Sequence, residues 1–88
     1  MTEMRPAEVF APGDYITDEM HARGWTELQL CEALGVPLDD LKKLLTAERR
    51  LLMRDAANLE RAWGISFMMW LNLERYYRKW TAQGVPRG

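Results

Sequence analysis

Apolar residues recur at three- and four-residue intervals along almost the whole chain, and no stretch alternates with a two-residue period for more than four residues. That is helical spacing, because helix side chains return to one face about every 3.6 residues. It predicts five helices and no strands. The first follows Pro12-Gly13 and runs from about Asp14 to Arg23, with Asp14, Asp18 and Glu19 towards its positive N-terminal end, where carboxylates are favoured. Gly24 ends it. Thr26 is the expected N-cap of a second helix closing near Leu34, and Gly35 supplies the positive φ of a tight exit. Pro37 opens a third helix reaching about Thr46, since its missing N–H has no partner to lose at a first helical position. A loop through Ala47 to Leu52 leads to a fourth helix from about Arg54 to Trp63, closed by Gly64. Ser66 caps a fifth from Phe67 to about Trp80, and Gly84 to Gly88 read as a frayed tail. The expected organisation is an N-terminal arm over 1–11, one helical domain over 12–80 and a flexible C-terminal tail over 81–88.

The second helix, its glycine turn and the third helix span about 20 residues, the size and punctuation of a helix-turn-helix, whose second member presents its outer face to the DNA major groove. Placing residues about 100° apart puts Leu38, Leu41, Leu44 and Leu45 on one inward arc. Asp39, Lys42, Lys43 and Thr46 fall on the opposite arc, with Asp40 at its edge. In the fifth helix, Met69, Trp70, Leu73, Tyr76, Tyr77 and Trp80 share an arc of about 120°, and Phe67 and Leu71 form a second strip. One small chain can hardly cover both strips, so a homodimer is expected, with Trp70, Leu73, Tyr77 and Trp80 at its interface. The alternative is that these aromatics fill the chain's own core.

Composition narrows the picture. Eighty-eight residues with 48% hydrophobic and 28% charged side chains amount to one foldable domain and exclude barrels and dinucleotide-binding enzymes. A single cysteine, Cys31, excludes an internal disulfide and a cysteine zinc cage, and suits a cytoplasmic setting. The longest apolar run, Phe67 to Leu71, is far short of a membrane span. Net charge is −1, yet its distribution is uneven: residues 1–34 hold 2 basic and 7 acidic groups, while 35–54 and 55–88 each hold 5 basic and 3 acidic ones. Fields act locally, so the basic part can still face a polyanion. Asp14, Asp18 and His21 share a helix face but are explained by dipole complementation, so no metal is expected. No nucleophile elbow, phosphate loop or metal spacing occurs, and neither catalysis nor a cofactor is expected.

From Pro12 to Tyr77 the chain resembles the HigA family of antitoxins, a branch of the XRE-type helix-turn-helix proteins. Pro12-Gly13-Asp14-Tyr15-Ile16 is similar to that family's opening, Gly24-Trp25-Thr26 to the start of its helix-turn-helix and Ala33-Leu34-Gly35-Val36 to its turn. Gly64-Ile65-Ser66 followed by Trp70-Leu71-Asn72-Leu73 and Tyr76 carries the resemblance furthest. The resemblance implies an all-α, five-helix XRE or lambda-repressor-like fold, dimerisation, operator binding through the third helix and neutralisation of a toxin protein. On that basis Thr26 and Gln29 would lie near the DNA backbone, Asp39, Lys42, Lys43 and Thr46 on the groove face, and Arg49 and Arg50 on flanking phosphates. The chain departs from the family pattern at Glu27, where a glutamine is usual, at Pro37-Leu38-Asp39-Asp40, and at Thr46-Ala47-Glu48-Arg49, where the pattern is Asn-Gly-Lys-Arg. Each change removes a donor or adds a carboxylate on the presumed DNA face, so that binding is weakened, retargeted or lost. Asp39 and Asp40 either accept from cytosine N4 or complement a helix N-terminus. The alternative function is a non-catalytic protein-interaction module, from a phage or mobile element, whose acidic Glu27, Asp39 and Asp40 meet a basic partner.

Overall fold

A few residues decide where each helix starts and stops in the computed structural model, which describes residues 9–84. The expectations for 1–8 of the arm and 85–88 of the tail lie outside the described residues. The chain forms α1 (Pro12–Ala22), α2 (Glu27–Leu34), α3 (Leu38–Leu45), α4 (Met53–Trp63) and α5 (Phe67–Ala82), with no strand among the described residues. α1 starts two residues before the predicted Asp14, because the Asp14 carboxylate accepts the Ala11 amide at 2.9 Å and fixes the first turn around Pro12. Thr26 caps α2 as expected, and Gly35 (φ +69°) and Gly64 (φ +74°) end α2 and α4 in the left-handed conformation that L side chains avoid. α5 runs on past Trp80 to Ala82, since no glycine or proline interrupts it before Gly84.

The main core is built from the inward leucines and two tryptophans. Ile16 and Met20 of α1, Leu30 and Leu34 of α2, Leu41 and Leu44 of α3, Ala56, Leu59 and Trp63 of α4 and Trp70 of α5 form one buried cluster with Leu51. α2 packs on α3 and α4, α1 on α3 and α5, and α4 on α5. Where α1 meets the end of α3, a Cβ on Gly13 would stand 2.7 Å from the Leu45 Cα, so only glycine lets the two backbones approach this closely. Trp25 meets Trp63 edge-on at 5.6 Å, and the Arg23 guanidinium lies over the Trp63 ring at 5.4 Å while donating to the Trp63 carbonyl.

A second cluster joins the start of the described chain to its end: Val9 and Ala11 are buried against Tyr77 and Trp80 of α5, with Ala47 beside them. This bears on the residues expected at a dimer interface. Trp70 is 0% exposed and Tyr77 and Trp80 are each 6% exposed within one chain, while half-buried Leu73 packs on the main core. The expectation that Trp70, Tyr77 and Trp80 face another molecule is therefore corrected: the fold turns these three inward, with the Val9–Ala11 segment against Tyr77 and Trp80, while Leu73 keeps partial exposure. What stays outside on the same helix is its edge, Met68, Met69 and Tyr76, at 43–47% exposure. No helix among the described residues is long and apolar enough to cross a membrane.

Candidate nucleic-acid interface

The α2–turn–α3 unit sets the geometry. In α3, Leu41 and Leu44 are buried and Leu38 and Leu45 half-buried, while Asp39, Lys42, Lys43 and Thr46 are exposed, which divides the helix into an inner and an outer face as the apolar spacing predicts. Neither Lys42 nor Lys43 makes an ion pair, so among the described residues both ammonium groups are free on the outer face. Thr46 sits at the C-cap, and its one hydroxyl proton is shared between the Lys42 carbonyl at 3.0 Å and the Glu48 carboxylate at 2.8 Å. It can accept from a ligand but has no proton left to give.

At the start of α2, Thr26 and Gln29 form a reciprocal capping box. The Gln29 amide donates to Thr26 Oγ1 at 3.1 Å, and the Thr26 amide donates to Gln29 Oε1 at 2.7 Å. The box uses neither the Thr26 hydroxyl proton nor the Gln29 side-chain NH2, and both residues are exposed, so two donors remain at a helix N-terminus, where an anion is favoured. Glu27 is exposed in the same turn and opposes that tendency. Together with burial, which acts first, its charge pushes the Cys31 thiol up.

Arg49 is not placed like a phosphate ligand. Its Nη1 and Nη2 donate to the two Asp55 oxygens at 2.7 and 3.1 Å, Nη2 also meets Asp40 at 3.0 Å, and Nη1 reaches the Arg50 carbonyl at 2.7 Å. Asp55 is 0% exposed and also accepts the Leu52 amide at 2.8 Å, so one buried carboxylate caps α4 and anchors the loop from α3. The Asp55 bond chiefly holds the Arg49 guanidinium further above its ordinary range, so it stays charged. Arg50, next in the chain, is exposed and carries no ion pair among the described residues. Pairing Asp40 with Arg49 also thins the acidic face on which the protein-interaction alternative relies, leaving Glu27 and Asp39.

The spacing of apolar residues carries no sign of the second brace on this loop. Glu74 of α5 is 8% exposed, accepts the Leu51 amide at 3.1 Å and pairs with Arg78. Arg78 in turn donates to the carbonyls of Ala47 and Arg49 at 3.4 and 3.5 Å. The one signal in the sequence is the Glu74–Arg78 spacing of four, which pairs charges along a helix. α5 thus holds the α3–α4 loop, with Arg50 on its outer side.

No family profile and no curated protein matches the chain, whereas solved structures do. An addiction module antidote protein of the HigA family from Coxiella burnetii is 24% identical over 85% of this chain and 83% of its own, with a TM-score of 0.78. A Pseudomonas aeruginosa protein crystallised with its 18-base-pair operator DNA is 24% identical over 90% and 84%, with a TM-score of 0.81. The antitoxin GraA is 25% identical over 93% and 86%, with a TM-score of 0.79. By this likeness the chain has the five-helix, helix-turn-helix fold of these solved structures.

Proposed function

We propose that this protein is a non-catalytic DNA-binding regulator of the antitoxin type, which reads an operator through α3 and neutralises a toxin protein. The observation that carries the DNA-binding part is the outer face of α3: Lys42 and Lys43 are exposed, with no ion pair among the described residues, on a helix whose other face is anchored by Leu41 and Leu44. The likeness to a protein solved with its operator supports it. Lys42, Lys43 and Arg50 are the cations for phosphates or guanine edges, Thr26 and Gln29 the neutral donors for the backbone, and Thr46 an acceptor on the groove face. Arg49 serves the site indirectly, by holding the loop that presents Arg50. A second copy would meet the outer edge of α5, where Met69 and Tyr76 are exposed, and two α3 helices would then reach successive half-sites.

A gel-shift titration with duplex DNA from upstream of its own reading frame, at two salt concentrations, tests this. Binding is expected to weaken steeply with salt. Charge reversal at Lys42 and Lys43 should lower both affinity and slope, the log–log slope falling by about 0.9 for each phosphate no longer neutralised. Retention that ignores salt, or a slope the reversal leaves unchanged, overturns the assignment. Co-expression with the product of an adjacent short reading frame tests the toxin partner by co-purification.

A further inference from the structure

Two adjacent carboxylates open α3, and the structure gives them different surroundings. Asp40 is joined to Arg49 at 3.0 Å and belongs to the loop anchor. Asp39 is exposed and has neither an ion pair nor a hydrogen bond among the described residues. Lys42 and Lys43, three and four positions on, are the partners a solvated helix offers such a carboxylate, yet neither bonds to it. The outer face of α3 therefore presents a free acceptor and two free cationic donors within one turn.

A carboxylate carried towards a duplex is repelled by phosphates and is tolerated only where a base edge offers a donor. In the major groove the amino donors are cytosine N4 and adenine N6. Adenine sets its acceptor N7 beside the amino group, which suits an amide with both a donor and an acceptor. Cytosine sets none there, and its partner guanine presents two acceptors, O6 and N7, which suit an ammonium group. An unpaired Asp39 beside unpaired Lys42 and Lys43 matches the two edges of a C·G pair. We infer that Asp39 is a specificity-determining residue, accepting from a cytosine N4 while Lys42 or Lys43 donates to guanine. The inference rests on the DNA-binding reading above and deepens it by naming the base pair.

Selection from a library of duplexes with a randomised core, using the full chain, tests it. The wild type should enrich cytosine at one position of each half-site by about tenfold over other bases. Asp39→Ala should erase that preference while leaving the rest of the motif, and Asp39→Asn should move it to adenine, because an amide pairs with adenine N6 and N7. Asp39 is exposed, so all three proteins should give the same circular dichroism spectrum. An Asp39→Ala motif identical to the wild type's, obtained with salt-dependent binding intact, overturns this inference and leaves the DNA-binding reading standing. Absence of salt-dependent binding by the wild type overturns both.

Discussion

Ala47 stands at φ +65°, the one non-glycine residue with positive φ among the described residues, at the point where α3 gives way to the loop. The position stands apart in the sequence as well, since the resemblance places a glycine there and the chain has alanine. An L residue in the left-handed region costs roughly 1–2 kcal/mol, against about 0.5–1 kcal/mol for the extra unfolded-state freedom of glycine. Ala47→Gly should therefore raise stability by up to about 1.5 kcal/mol, measured as the urea midpoint at unchanged m-value. A lowered midpoint would show that the Ala47 methyl, packed beside Val9, Ala11, Tyr77 and Trp80, matters more than the backbone strain. At the same scale, Thr26 is legible as a helix cap, and Gly35 and Gly64 as helix ends from their place after apolar runs, whereas the return bond from Gln29 to the Thr26 amide emerges only in the fold.

At the scale of elements, the loop between α3 and α4 is tied back to α3 by the Ala47, Glu48 and Arg49 amides, which donate to the Leu44 and Lys43 carbonyls, and beyond that it is held by charges. Arg49 grips Asp55 and Asp40, and Glu74 with Arg78 grips the loop from α5. Removing one member of a buried ion pair leaves an uncompensated charge and costs about 3–5 kcal/mol. Arg49→Met should accordingly destabilise the protein by about 3 kcal/mol, whereas Arg50→Met at the exposed neighbour should change stability by under about 0.5 kcal/mol. Paired chemical denaturation curves measure this, and equal losses would show that the Asp55 contact contributes nothing. The five helices are legible in the sequence because their apolar period is local. These braces are not, because Glu74 and Leu51 are 23 residues apart and meet only once α4 has turned the chain back. The same limit explains the aromatic arc of α5: its extent follows from helical spacing, but which half is covered depends on Val9 and Ala11, far away in the sequence.

For the whole molecule, net charge is a poor guide to what it binds. The chain carries −1 in total, yet the outer face of α3 and the loop after it present Lys42, Lys43 and Arg50, whose side chains make no ion pair among the described residues. If local field governs binding, heparin resin should retain the wild type at low salt, and Lys42→Gln with Lys43→Gln should abolish retention. Removing two exposed cations elsewhere, Arg61→Gln with Arg75→Gln, makes the same change in net charge and should leave retention nearly intact. Equal loss in both double variants would show that the total charge governs instead.

Because the loop after α3 is clasped by Glu74 and Arg78, and Trp80 shelters Val9 and Ala11, the reading helix is not a detachable cassette. Transplanting the α2–α3 pair into a foreign scaffold would carry over its letters but not its posture; a faithful graft has to bring the last helix with it.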